Sequence, residues 1–399
     1  MARGVVLAYP THGHIAPILP VVAELVRRGE EIVFYGTGRS RAHIEATGAR
    51  FRLYSRRHDD FNPTPPTEGL FSDMARLAAL TEDILPVLLE EVRAEAPRYL
   101  LIDTKSLWGR LVSQVLGIPA VTMSVVFAIQ PGSISVAQLV GSLYQGAPPA
   151  ALIRGLLGLS DYFEVSRRMG SCFRVSTPGI IEYLGNPQAL NLIFTSREFQ
   201  LAGDTFGDLF RFVGPSIPPG RDDAIDFPFD RLGTAPIVYI SLGTTFNRAP
   251  EFYRACFEGL ADLPVQAVLS TGGAAQDIGA APANFLVRNF VPQLPLLERA
   301  SVFITHGGMN SANEGLYYGV PLIVVPQRGD QHLVAARVAE LGAGVRVLPH
   351  EATSARLHEA VSAVLCDLTY RARAAGLAAK LHSAGGYRRA ADEVLRFAS

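Results

Sequence analysis

Two histidines lie close together near the start of the chain, in YPTHGHIAP (residues 9–17), beside a glycine and between two prolines. Turns from strand to helix ordinarily use Gly, Asp or Ser, so two imidazoles there raise the question of chemistry. An imidazole titrates near neutrality and can take a proton from an alcohol as a bond forms. His12 and His14, at i and i+2, could also point the same way on a strand and share a metal ion. No Asp, Glu or Cys cluster nearby completes a coordination set. A third reading makes them residues of an ordinary turn.

A second group lies in THGGMNS (305–311). A strand ends at Thr305-His306, the Gly307-Gly308 pair lets the backbone turn tightly, and a helix begins around Asn310-Ser311. The N–H groups and dipole of such a helix start attract an anion, for example a diphosphate, and His306 can add a hydrogen bond or a positive charge. Glu314 lies one turn beyond Asn310 on the same helix face, where it could accept hydrogen bonds from ribose hydroxyls. The same residues also read as a turn plus an N-cap.

The elements that must position these groups alternate regularly. GVVLAY (4–9) is a valine-rich apolar run, read as a strand buried on both faces. Ile18, Val21, Val22, Leu25 and Val26 follow at helical spacing, Gly29 stops that helix, and EIVFYG is the next strand. This βαβ unit implies a parallel sheet. YLLID (99–103), a helix over 106–116 closed by Gly117, and IPAVTMS (118–124) continue it. A Pro-rich stretch, FNPTPPTEG (61–69), reads as a surface loop near a site.

Pro, Gly and Asp concentrate in 212–236, a linker signature. The alternation then restarts with IVYISLG (237–243), VQAVLST (265–271), FLVRNF (285–290), SVFITH (301–306), PLIVVP (321–326) and AGVRVL (343–348). The expected architecture is α/β: two Rossmann-like parallel-sheet domains facing each other across a cleft, with ligands beyond the carboxyl ends of the strands. The boundaries read as 1–214, a linker over 215–236, a second domain over 237–380, and a C-terminal helix over 381–399.

Composition narrows the class. The 399 residues are 48% hydrophobic and 18% charged, as in globular proteins, and 36 basic residues balance 37 acidic ones. Nothing there marks a nucleic-acid or anionic-membrane partner. Cys172, Cys256 and Cys366 are widely spaced with no CxxC pattern, which argues against a disulfide framework or a zinc site and fits a reducing, cytoplasmic setting. The first residues lack the basic, apolar and small-residue regions of a signal peptide. No charged residue occurs between Arg110 and Arg154, yet glycines and prolines interrupt the stretch well short of the roughly 18–20 apolar residues a membrane span needs. It reads as a buried strand followed by a loop and helix lining an apolar cavity. GTGRSR (36–41) lacks the third glycine of a dinucleotide fingerprint, so a two-domain oxidoreductase has poor support.

Residues 290–331 resemble the nucleotide-sugar signature of family-1 UDP-glycosyltransferases. With HGHIAP, FVGP and ISLGT in order, the whole chain resembles a bacterial macrolide-glycosyltransferase-type member. The resemblance implies the GT-B fold, a donor held by the C-terminal domain and an acceptor held by the N-terminal one. It makes His14, three residues before Pro17, the catalytic base, and Asp103 its carboxylate partner; for Asp103 alone, an N-cap of the following helix is the alternative. It assigns Phe290, Val291 and Gln293 to the nucleobase, and His306, Gly308, Asn310 and Ser311 to the diphosphate, with Thr244 near the phosphates. Glu314 falls to the ribose, and Asp330 and Gln331 to the sugar hydroxyls.

Phe290 stands where many relatives carry tryptophan, and Met309 where plant members do. The reaction implied is inverting and metal-independent, from a UDP-sugar, with glucose suggested by the Asp330-Gln331 pair, to a hydroxyl of an apolar small molecule such as a macrolide or flavonoid. No Asp-x-Asp motif occurs, no metal or other cofactor is expected, and the UDP-sugar is a co-substrate. Phe61, Phe71, Trp108 and Phe127 are candidate acceptor-pocket walls. A TDP-deoxysugar donor and a non-catalytic nucleotide-sugar-binding protein are the alternatives.

Overall fold

The structure is a computed structural model, and it describes all residues except Met1 and the segments 55–68, 135–140, 142–148, 223–224, 244–246 and 274–277. The chain divides into two compact units, Met1–Ile217 together with Ala384–Ser399, and Pro218–Ser383.

Among the described residues the first unit carries seven strands: β1 (Arg3–Leu7), β2 (Glu31–Gly36), β3 (Arg50–Leu53), β4 (Tyr99–Asp103), β5 (Ala120–Ser124), β6 (Leu190–Ile193) and β7 (Phe210–Phe212). They are parallel, in the order β3-β2-β1-β4-β5-β6-β7. Side chains on a strand alternate between faces, and the two cores follow that rule. Val5, Leu7, Val33, Tyr35, Leu100 and Ile102 pack on one face with the helices Gly69–Glu95, Leu107–Leu116 and Pro149–Phe173. Val6, Ala8, Ile32, Phe34, Tyr99 and Leu101 pack on the other with the helix Leu19–Arg27. Apolar residues at every strand position are therefore required, which is why these strands read as continuous hydrophobic runs.

The last helix, Gly386–Ala398, belongs to this first unit. Ala390, Ala391 and Val394 enter the core beside Val21, Val22 and Leu25, Asp392 pairs with Arg28 at 2.5 Å, and Gly386 N–H donates to the Val213 carbonyl at 2.6 Å.

The second unit holds β8 (Ile237–Ser241), β9 (Gln266–Ser270), β10 (Phe285–Arg288), β11 (Ala300–Thr305), β12 (Leu322–Val324) and β13 (Gly344–Arg346). These too are parallel, in the order β10-β9-β8-β11-β12-β13. The order reverses between β1 and β4 in one sheet and between β8 and β11 in the other. At such a reversal neighbouring loops part to opposite faces and leave a crevice beyond the strand ends, where ligands of parallel sheets bind.

Three strands and two helices carry no clear sequence signal. β3, β6 and β7 are three or four residues long, and their segments RFRL, LNLI and FRF mix polar with apolar residues. The helices Gly69–Glu95 and Pro149–Phe173 combine apolar, polar and proline residues without a sharp stripe; Pro86 lies inside the first. Residues 218–236, linker-like in composition, form part of the second unit and supply two side chains to its polar network. Among the described residues, no helix is long and apolar enough to cross a membrane.

Candidate active site

His14 lies in the short helix His12–Ile15 that follows β1, and Asp103 is the last residue of β4. Because β1 and β4 pair in register, Leu7 opposite Ile102, their carboxyl ends emerge side by side at the sheet's reversal. The result is a contact of 2.8 Å between His14 Nδ1 and Asp103 Oδ2, with Asp103 fully buried and His14 nearly so. A carboxylate in its ionised form only accepts hydrogen bonds, and opposite it the contact suits the tautomer with the hydrogen on Nδ1 and the lone pair on Nε2. The imidazole is thus set up to receive a proton at Nε2 with its positive charge offset at Nδ1.

The carboxylate is held on its other side as well. Asp103 Oδ1 accepts from Lys105 N–H at 2.8 Å, and Asn186 Nδ2 donates to the backbone carbonyls of Asp103 and Ser106 at 3.2 and 3.3 Å. The following helix, Leu107–Leu116, is capped by the Ser106 hydroxyl, which accepts from Gly109 N–H. Asp103 is therefore not its N-cap. Tyr9 packs edge-on against the His14 ring at 5.1 Å.

Phe71, Trp108 and Phe127 are core side chains. Trp108 is 1% exposed and donates through Nε1 to the Tyr54 hydroxyl at 3.1 Å; Tyr54 in turn donates to the Ala8 carbonyl at 2.8 Å. Phe71 is buried in the same cluster, and Phe127 packs on Phe199. A charge-free, aromatic-rich stretch looks alike whether it lines a cavity or fills a core; here Phe71 and Trp108 are buried in one apolar cluster and Phe127 is buried against Phe199. Phe61 lies outside the described residues.

In the second unit, His306 follows β11 and Gly243 follows β8, again at the reversal of strand order. The helix Met309–Tyr317 starts from Gly308, which has no side chain to close its first turn. First-turn N–H groups then depend on partners outside the helix. His306 Nδ1 is sealed from solvent with no hydrogen-bond partner among the described residues. Burial pushes the imidazole pKa down to about 4, opposed by the Asp330 carboxylate and the Ser241 backbone. His306 therefore stands at neutral pH as an uncharged imidazole, and not as the cation that its position beside a helix start allowed.

Asn310 and Ser311 occupy the first turn of that helix, and Glu314 is buried within it. Glu314 is already engaged: Arg221 Nη1 and Nη2 donate to its Oε1 and Oε2 at 2.6 and 3.1 Å, and Gln293 Nε2 donates to Oε2 at 2.5 Å. Gln293 Oε1 accepts from the Tyr239 hydroxyl at 2.9 Å. Burial draws the Arg221 pKa down, but the Glu314 and Asp222 carboxylates outweigh it and hold the pKa above its ordinary value. Arg221, Asp222 and Tyr239 are the polar residues that sequence reading missed. Two of them sit in a stretch composed like a linker, and the third inside an apolar strand.

Phe290 is 56% exposed, with its ring tip over Gly273, while Val291 beside it is buried. Asp330 precedes the helix Gln331–Glu340, and Gln331 Oε1 accepts from the backbone N–H groups of Gln327 and Arg328 at 2.8 and 3.2 Å. Thr244 lies outside the described residues. Among those residues no group of three or more His, Cys, Asp or Glu side chains could hold a metal ion.

Residues 256–389 match the family model of the erythromycin biosynthesis protein CIII-like C-terminal domain. The chain is 33% identical to the uncharacterized UDP-glucosyltransferase YojK of Bacillus subtilis, over 99% of this chain and 97% of that protein. It is also 33% identical to the NDP-glycosyltransferase YjiC of the same organism, over 97% and 95%. The crystal structure of CalG4, the calicheamicin glycosyltransferase, superposes with a TM-score of 0.79 at 28% identity, covering 100% of this chain and 98% of that one. Two parallel-sheet α/β units of this kind define a GT-B transferase. The chain belongs to the family-1 glycosyltransferases and is a sugar-transferring enzyme.

Proposed function

We propose that this enzyme transfers glucose from UDP-glucose to a hydroxyl of an apolar natural product, with inversion and without a metal ion. The observation that supports the reading is the 2.8 Å contact between His14 Nδ1 and Asp103 Oδ2 at the β1/β4 reversal, which suits Nε2 to the role of base. The acceptor oxygen attacks the anomeric carbon of an α-linked donor. Its proton passes to His14 Nε2, the bond from that carbon to the diphosphate oxygen breaks, and a β-glycoside and UDP result. Asp103 orients the imidazole and offsets the charge it acquires, as the carboxylate does beside the histidine of a hydrolase triad.

In this reading the first unit holds the acceptor and the second the donor. His306, Gly308, Asn310 and Ser311 take the diphosphate, whose developing charge the helix N-terminus stabilises. Phe290 offers an exposed apolar face to the base, Glu314 takes the ribose, and Asp330 and Gln331 take the sugar. The name of YojK supports a UDP-glucose donor, and that of CalG4 supports a natural-product acceptor. YjiC, named for NDP-sugars, keeps a TDP-sugar donor in view.

The test is product formation by mass spectrometry, with UDP-glucose and TDP-glucose against a mixed macrolide and flavonoid panel, without added metal and with His14→Ala alongside. A hexose adduct made by the wild type and lost in the variant is the expected result. Full activity in the variant refutes His14 as the base. UDP binding without any product favours a non-catalytic nucleotide-sugar-binding protein.

A further inference from the structure

We infer that Arg221 sets how strictly the second unit reads the ribose of its nucleotide, and that with Arg221 in place the 2′-hydroxyl is not required. The inference rests on the reading of Glu314 as the ribose-binding carboxylate. An ionised carboxylate offers about four lone-pair sites. Both sites on Oε2 are taken, by Arg221 Nη2 and Gln293 Nε2, and one of the two on Oε1 is taken by Arg221 Nη1.

The partners that take them are themselves held. Gln293 is fixed by the Tyr239 hydroxyl, and the Tyr239 ring stacks on Phe303 at 4.6 Å and 5°. Arg221 is gripped a second time by Asp222, Nε to Oδ1 at 3.0 Å and Nη2 to Oδ2 at 3.3 Å. Asp222 Oδ2 also accepts from Leu294 N–H at 2.9 Å, which ties this pair to the helix Gln293–Leu297. Among the described residues, one acceptor site on Glu314 remains. A ribose diol has two hydroxyls to donate and a 2′-deoxyribose has one, and a carboxylate with a single open site gains no more from the first than from the second. A donor nucleotide carrying either ribose or 2′-deoxyribose therefore fits this carboxylate.

The test compares calorimetric affinities for UDP and 2′-deoxy-UDP, which differ only in that hydroxyl. Wild type is expected to bind the two within about threefold, because no second hydrogen bond is at stake. Arg221 fills two acceptor sites, so Arg221→Gln leaves at least one more open on Glu314, and UDP should then be preferred by roughly tenfold or more, the value of one hydrogen bond to a charged group. Arg221→Lys keeps the charge without the fork and should fall between; it also serves if the glutamine variant fails to fold.

A wild-type preference for UDP of tenfold or more overturns the inference and leaves Glu314 as the ribose ligand. Equal weakening of both nucleotides in the Arg221 variants, with an unchanged ratio, also overturns it, since Arg221 would then act on the phosphates or the fold. Unchanged UDP affinity in Glu314→Ala defeats the reading of Glu314 itself, and the inference with it.

Discussion

The His306 imidazole fills the space that a side chain on Gly308 would need: a Cβ there would lie 2.5 Å from Nε2. Gly243, from the neighbouring strand end, meets the same ring, and a Cβ on it would lie 2.8 Å from Cε1. Gly243 also has a φ of +76°, a conformation that side chains disfavour, whereas the φ of Gly308 is an ordinary −59°. The two glycines let one imidazole lie against the backbone of both strand ends.

Gly308→Ala isolates the steric effect, because its backbone conformation suits any residue. It is expected to lower the stability of the second unit by about 1–3 kcal/mol and to weaken UDP binding. His306→Ala in the same chain should restore most of the stability but not the binding. Denaturant unfolding and calorimetry on the two single variants and the double variant measure this; additive losses of stability would show that the residues do not meet.

His306 also makes stability depend on pH. Its pKa lies near 4 when folded, against 6.5 for a free imidazole. Between those values the unfolded chain binds the extra proton, so stability is lost as pH falls from 6.5 towards 4, and this group adds no further loss below that. His306→Gln removes the contribution. The fall in unfolding midpoint between pH 7 and pH 4.5 should therefore be smaller in the variant, and an identical fall in both chains would contradict the account.

At the dyad, Asp103→Asn is more informative than a truncation. An amide can donate to Nδ1, which moves the ring hydrogen to Nε2 and removes the lone pair that accepts the proton. Turnover of UDP-glucose should fall by on the order of 10²–10⁴, the usual contribution of general-base catalysis, with little change in KM for the donor. Steady-state kinetics decide it; near-normal kcat would mean that Asp103 is only structural.

Trp108→Ala distinguishes a core residue from a binding wall. Removing a side chain that is 1% exposed should cost about 3–5 kcal/mol. Trp108→Phe keeps most of the volume and loses the bond to Tyr54, so it should cost about 1 kcal/mol. A Trp108→Ala protein as stable as the wild type, but altered in acceptor range, would place Trp108 in the acceptor site after all.

The sequence by itself determined the alternation of elements, the parallel sheets and the ends of the strands that carry chemistry. Each of those is written in a local pattern: apolar runs for strands buried on both faces, Gly117 after a helix, Gly307-Gly308 after β11. Resemblance singled out His14 and Asp103, but their contact depends on β1 and β4 pairing in register across 89 residues of chain. Tertiary structure alone decided which polar groups are shared. Arg221 meets Glu314 only because a stretch with linker composition folds onto the second sheet's helices. His306 is neutral at pH 7 because packing strips its water, an effect that no residue type or spacing announces. Trp108 and Phe71 are core for the same reason: burial is a property of the neighbours that close around a side chain, and those neighbours come from distant helices.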